Sequence, residues 1–222
     1  MQRPTTRPRP VPKAPRPPSA GAATRLPYDE LEPMESYTDV VLEDMRLEAA
    51  DGVGFKQARL RRVDWRSAYL RRLDLTDVAL SGCDLSNARW EGMGAERVAF
   101  ESCRLTGFAM PGSRLKDASF KDCQASLARF ERVGLKGAHF TQCAFQDANF
   151  NESDLTGAVF MGCDLHNATF TGANLNGADF RGSNLESSRV GLAELKGAIL
   201  SPRQGLALLE RFAGVIHQAE AD

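Results

Sequence analysis

Every residue whose number is a multiple of five between Phe55 and Leu200 is apolar. The series runs Phe55, Leu60, Trp65, Leu70, Leu75, Leu80, Leu85, Trp90 and on to Val190, Leu195 and Leu200, and only Ala95 and Ala125 in it are small. Two residues before each of these centres lies a second, mostly smaller class: Ala58, Ala68, Cys83, Ala88, Ala118, Cys123, Ala148, Ser153, Ala178 and Ser183. Leu73, Met93 and Phe108 are larger there but still apolar, and the other three positions of each repeat are predominantly polar. A five-residue apolar period walks around an α-helix instead of holding one face, which excludes a helical body. Inward positions at i−2 and i suit a short extended segment, whose side chains alternate. Five is odd, so a straight strand would turn the next repeat outward, and one corner per repeat must reset the phase. Eleven of the fifteen glycines between residues 53 and 200 sit two residues after a centre, Gly82, Gly107 and Gly137 among them. Glycine tolerates the unusual backbone angles that such a corner needs.

The number of sides follows from a second spacing. Cys83, Cys103, Cys123, Cys143 and Cys163 are 20 residues apart, as are Phe100, Phe120, Phe140, Phe160 and Phe180. Phe130, Phe150 and Phe170 repeat the interval. Twenty residues hold four repeats, so the coil has four sides and like residues stack in columns. Ala148-Asn149-Phe150, Ala173-Asn174-Leu175, Ala178-Asp179-Phe180, Cys83-Asp84-Leu85 and Cys163-Asp164-Leu165 resemble the A(D/N)LXX motif of the pentapeptide-repeat family. That resemblance implies an all-β fold, a right-handed quadrilateral β-helix, here closed by a C-terminal helix. Val40/Leu42 and Met45/Leu47 continue the pattern at a shifted phase, and an insertion around Ala50-Asp51-Gly52 is expected to restore the register. The repeats then make about eight coils, a rod of roughly 38 Å at ~4.8 Å per coil.

Four regions follow. Residues 1–28 hold eight of the eleven prolines and six basic residues without an acid. Such a composition predicts a disordered tail with polyproline II character. Within it, Arg9-x-x-Pro12-x-x-Pro15 matches a pattern read by aromatic-lined grooves. Residues 29–52 form an acidic N-terminal segment and cap, residues 53–200 the solenoid, and residues 201–222 a capping helix and tail. Ser201-Pro202-Arg203-Gln204 is a helix start, with a Ser N-cap, Pro in the first turn and Gln three residues after the Ser. Leu206, Leu209, Phe212 and Ile216 follow at helical spacing. That face is expected to cap the last coil, as an open solenoid end requires. The alternative is a dimer interface, since some proteins of the resembled family dimerise through their C-terminal ends.

The residues that carry chemistry are scattered. Cysteines on an inward phase pack as small apolar groups, and five reduced thiols are expected. Stacking holds their Cβ atoms too far apart for good disulfide geometry. No C-x-x-C or histidine pairing supports zinc, and His139, His166 and His217 fall in separate regions. Gly52-x-Gly54 and Gly92-x-Gly94 are too short for a dinucleotide loop. A filled core offers no deep pocket for a small substrate. The expectation is a chain without catalytic residues, metal or cofactor, whose rigid rod binds another protein. The N-terminus is basic but leads into prolines instead of an apolar segment, and no apolar run reaches the ~20 residues of a membrane span. A bacterial cytoplasmic protein is expected.

Two other functions compete. The resemblance implies mimicry of DNA toward gyrase or another type II topoisomerase, with protection from quinolones. B-DNA carries a charge every ~1.7 Å, so a mimic needs about three net negatives per coil. The whole chain has a net charge of only −1, and residues 51–222 balance to zero. The nearest acidic columns, Asp64/Asp84 and Asp154, are broken by Arg104, Arg114 and neutral residues. The other reading is a nucleic-acid or anionic-surface site built from the basic tail with Arg59, Arg61, Arg62, Arg66, Arg71 and Arg72.

Overall fold

The computed structural model describes residues 11–16, 18, 24–25, 31–47 and 51–213. Its strands are β1 (Thr24–Arg25), β2 (Ser36–Thr38), β3 (Val40–Glu43), β4 (Gly54–Arg61), β5 (Tyr69–Arg71), β6 (Asp74–Ser81), β7 (Arg89–Glu91), β8 (Gly94–Glu101), β9 (Arg114–Lys121), β10 (His139–Thr141) and β11 (Val159–Met161), followed by helix α1 (Pro202–Ala213). The main ladder runs β1-β3-β4-β6-β8-β9-β10-β11, with β2 also on β4, and β5 pairs with β7 in a second sheet. All pairs are parallel. Phe55 lies beside Leu75, Leu60 beside Leu80 and Phe100 beside Phe120, so each residue meets the one 20 positions later. The strands climb six turns from β3 to β11. The single bridges Val159–Asp179 and Asp179–Ile199 carry the ladder to the end of the solenoid.

The corner has one physical cause throughout. Every residue two after a centre, from Gln57 to Ser187, lies in the left-handed region, at φ between 51° and 81°. Glycine is the least strained occupant, but Asp77, Asn87, Arg97 and Leu127 adopt the same conformation. One such residue per repeat turns the chain and sends the next pair of side chains inward again. Three of the four corners are mostly exposed. The fourth, at Gln57, Asp77, Arg97 and Asp117, is half-buried or buried and is crossed by the eight-residue strands β4, β6, β8 and β9.

The register of the first coil departs from the expectation. Leu42 pairs with Leu60 and Arg46 with Asp64, an interval of 18. The Leu47 N–H still donates to the Asp64 carbonyl, whereas the Gly52 N–H already reaches Arg71, as the 20-residue coils require. The phase shift is therefore a shortening by two residues between Leu47 and Gly52, not an insertion around Ala50-Asp51-Gly52. Tyr37 becomes a further centre, stacked on Phe55 at 5.8 Å.

Inside, the columns are continuous. Phe100, Phe120, Phe140, Phe160 and Phe180 stack with centroids 4.6, 5.1, 4.6 and 4.9 Å apart. Those spacings match the coil repeat, so one helical rise sets both backbone pairing and ring contact. Phe130, Phe150 and Phe170 form a second stack at 5.0 and 5.2 Å. The five cysteines are free and buried in one column. Cys103 Sγ lies 3.4 Å from the Glu101 carbonyl, and Cys123 Sγ lies 3.5 Å from that of Phe100. The Cys103 and Cys143 thiols are pushed up, first by hydrogen bonding to the thiols above and below and then by burial. Ser183 continues the column, accepting the Cys163 N–H at 3.0 Å and donating to the Phe160 carbonyl at 3.1 Å.

Candidate binding surfaces

With the inward positions filled, the outer walls and the two ends are what the fold offers to a partner. On the walls, charges meet across coils. Arg97 pairs with Asp77 at 2.7 Å, Arg104 with Asp84 at 3.0 Å, Lys116 with Glu96 at 3.0 Å, Lys121 with Glu101 at 3.0 Å and Arg132 with Glu152 at 2.8 Å. Each of these pairs is 20 residues apart. Each pair joins opposite charges one coil apart in a column of its own, so the pairs tie neighbouring coils together at several places around the rod. Asp77 is the deepest of these carboxylates, only 4% exposed. Hydrogen bonds from Arg97 hold its pKa below the ordinary range against the opposing pull of burial.

The six arginines singled out in the sequence do not share one wall. Arg59 is half-buried within β4, and Arg61 is exposed at its end. Arg62, at the next corner, is bound by Glu43 at 2.8 Å and Asp44 at 2.6 Å, which push its pKa up. Arg66 lies on the following side with Asp64 at 2.7 Å, and its hydrogen bonds lower the Asp64 pKa to about 2. Arg71 pairs with Asp51 and lies 6.0 Å from the Tyr69 ring, whereas Arg72 points at Met34 Sδ at 3.8 Å. The acidic segment thus supplies counter-charges to the first coils. Sequence separation concealed this, because Glu43 and Arg62 become neighbours only when the coil closes.

The C-terminal end realises the helix start in full. The Ser201 N–H donates to Gln204 Oε1 at 2.8 Å, and the Gln204 N–H donates to Ser201 Oγ at 3.3 Å. Gln204 Nε2 then reaches the last turns, donating to the Phe180 carbonyl at 2.7 Å and the Ser183 carbonyl at 2.8 Å. Arg211 donates to the Ser188 carbonyl. The inward apolar residue of α1 is Leu208, while Leu206 and Leu209 are more than half exposed. Phe212 packs partly on the core, and Ile216 lies outside the described residues. The capping face therefore runs through Gln204, Leu208 and Arg211. Sequence periodicity placed it differently because it counts apolar side chains alone, and the solenoid end also presents open carbonyls. A cleft of about 700 Å³ lies between α1 and the last turn, lined by Asn184, Glu186, Gln204 and Leu208.

The N-terminal segment also touches the rod. The Lys13 N–H donates to Asp117 Oδ1 at 3.4 Å, and the Arg16 N–H donates to Asp77 Oδ1 at 3.1 Å. Composition predicts a free tail here, and these bonds lay residues 11–16 along the wall instead. Within the repeats, His166 is half-buried, its backbone N–H donating to Asp164 at 3.1 Å. Among the described residues no group of three His, Cys, Asp or Glu is placed to hold a metal ion, and no helix is long and apolar enough to cross a membrane.

Models of pentapeptide repeats match residues 52–89, and models of the pentapeptide repeat region match residues 94–163 and 128–200. The chain belongs to the pentapeptide-repeat family. No curated protein sequence matches it. Among solved pentapeptide-repeat structures, full-length QnrB1, a plasmid-mediated fluoroquinolone resistance protein, is similar over 86% of this chain and 95% of its own, with 20% identity and a TM-score of 0.52. HetL, involved in heterocyst differentiation regulation in the cyanobacterium Nostoc sp. strain PCC 7120, is similar over 74% of this chain and 89% of its own, with 22% identity and a TM-score of 0.42. At these identities the likeness is one of fold.

Proposed function

We propose that this pentapeptide-repeat chain is a non-catalytic rod that binds another protein through its outer walls. The observation that carries this reading is the set of coil-to-coil ion pairs. Glu96, Glu101, Asp77, Asp84 and Glu152 each have a cation within 3.0 Å. A wall of closed pairs attracts neither a polyanion nor a DNA-binding groove over long range, but it suits a partner of matching shape. Exposed apolar side chains add contact area: Leu127 at a corner, with Tyr69 in β5 and Met161 in β11. Leu127 also holds a left-handed conformation that leucine rarely adopts.

A photo-crosslinker placed at Met161 of the full chain tests this. It should give one saturable protein adduct that Leu127→Arg suppresses without changing the circular dichroism. Adducts insensitive to that substitution would overturn the reading.

A gyrase-directed role is the second reading, supported by the fold likeness to QnrB1, itself described as a fluoroquinolone resistance protein. Titration into a gyrase supercoiling assay, with and without quinolone, decides it. Inhibition or protection from cleavage supports the role, and no effect at tens of micromolar removes it. The arginines gathered in the early coils support nucleic-acid binding less well, because Arg62, Arg66 and Arg71 are engaged by carboxylates.

A further inference from the structure

The contact between the proline-rich segment and the rod has a regularity of its own. Along the segment, Pro12 and Pro15 are half-buried and Pro18 is buried, whereas Val11, Lys13, Ala14 and Arg16 are exposed. An inward face that recurs every three residues has the period of a polyproline II helix. The residue after each of the first two inward prolines donates its backbone N–H to the rod, Lys13 to Asp117 and Arg16 to Asp77. Both acceptors stand in the half-buried corner column that the long strands cross, 40 residues apart and therefore separated by two coils.

The two repeats are commensurate. Three residues of polyproline II rise about 9.3 Å, and two coils of a β-solenoid rise about 9.6 Å. A polyproline II segment lying along the rod axis therefore meets an equivalent corner every third residue. Between the two acceptors lies Arg97, which grips Asp77 through Nε at 2.7 Å and Nη2 at 2.8 Å, so one Asp77 oxygen takes both the Arg97 and the Arg16 donor. Farther up, the column holds Gly137, Gly157 and Gly177, and below Asp77 it holds Gln57. Below Gln57 the column continues to Asp39 at the 18-residue register, and the two carboxylates that receive the Lys13 and Arg16 donors are Asp117 and Asp77. Beside it, Thr76, Ala95, Glu96, Lys116 and Lys136 line a shallow depression in the adjoining wall.

We propose that the corner column through Asp77, Arg97 and Asp117 is a recognition track for a polyproline II segment, occupied in cis by residues 11–16 with Pro18. The Arg9-x-x-Pro12-x-x-Pro15 pattern then has its reader within the same chain. No aromatic groove is involved. Prolines at every third residue give shape at a reduced ordering cost, because the segment is already extended when free. The intervening residues supply the two donors. Lys13 and Arg16 keep their charged ends in water while their backbones face the acids. The strap covers one corner of the rod and leaves the other three open, and it does not depend on which partner those walls bind.

The test uses the full chain. Amide exchange of Lys13 and Arg16, followed by NMR, should be at least about tenfold slower than in a free synthetic peptide of residues 8–20. The triple substitution Pro12→Ala, Pro15→Ala and Pro18→Ala alters no solenoid residue and should return both amides to the peptide rate. Insertion of one alanine between Ala14 and Pro15 should release at least one of them, because it breaks the three-residue phase. Lys13→Gln with Arg16→Gln keeps both donors and should preserve most of the protection. Exchange at the peptide rate in the unaltered chain would refute docking. Protection that survives both the triple substitution and the insertion would refute polyproline II recognition.

Discussion

Gln204→Glu separates what the helix start needs from what the solenoid end needs. Judged on α1 alone the substitution is favourable. A glutamate at this position closes the same capping box and adds a negative charge at the helix N-terminus, worth about 0.3–1 kcal/mol. In the fold, however, Gln204 Nε2 donates to two carbonyls, those of Phe180 at 2.7 Å and Ser183 at 2.8 Å. A carboxylate cannot donate, so both bonds are lost, at about 1 kcal/mol each. Its oxygens also face two carbonyl lone pairs in a half-buried setting. The net expectation is a loss of about 1–3 kcal/mol, confined to α1 and the last turns. The measure is hydrogen exchange, comparing peptides from residues 180–213 with peptides from the middle coils, because solenoid ends unfold independently. Below about pH 4 the variant acid protonates and regains one donor, so the loss should shrink there. Unchanged or slower exchange at the C-terminal end, at neutral pH, would refute the idea that Gln204 couples the helix to the solenoid.

Three further outcomes follow from the geometry. Phe140→Ala empties a site stacked between Phe120 and Phe160 and should cost about 3–5 kcal/mol by urea denaturation, whereas Phe140→Leu should cost well under half of that. Leu127→Gly relieves a left-handed leucine at an exposed corner, and a gain of about 0.5–1 kcal/mol in the same assay is expected. Asp64, lowered to about 2 from 3.8 by Arg66, contributes stability that is full above its unfolded pKa and is lost as the pH falls toward 2. Asp64→Asn should therefore flatten the acid limb of melting temperature against pH, and an unchanged limb would show that the pair contributes nothing.

The legible part of this protein is the part that repeats. The apolar centres from Phe55 to Leu200 announced a coil, and the cysteine and phenylalanine intervals announced its four sides. Both are local statements repeated many times, so one error cannot hide the period. The helix start at Ser201 was legible for a related reason, since its hydrogen bonds stay within four residues. The failures lie where the repeat stops. A phase shift before Phe55 is equally an insertion or a shortening in one dimension, and only the 18-residue pairing of Arg46 with Asp64 decides.

The sequence by itself determined the coil, its columns and the buried cysteines, because periodicity is written along the chain and side-chain alternation follows from it. Tertiary structure alone decided which charges pair, which residues of α1 meet the last turns and where the proline-rich segment lies. Apart from local pairs such as Arg66 with Asp64, those contacts join residues 18 to 104 positions apart, as in Arg62 with Asp44 and Lys13 with Asp117. Their energies depend on closure of the coil, and closure brings together residues that no linear pattern places side by side.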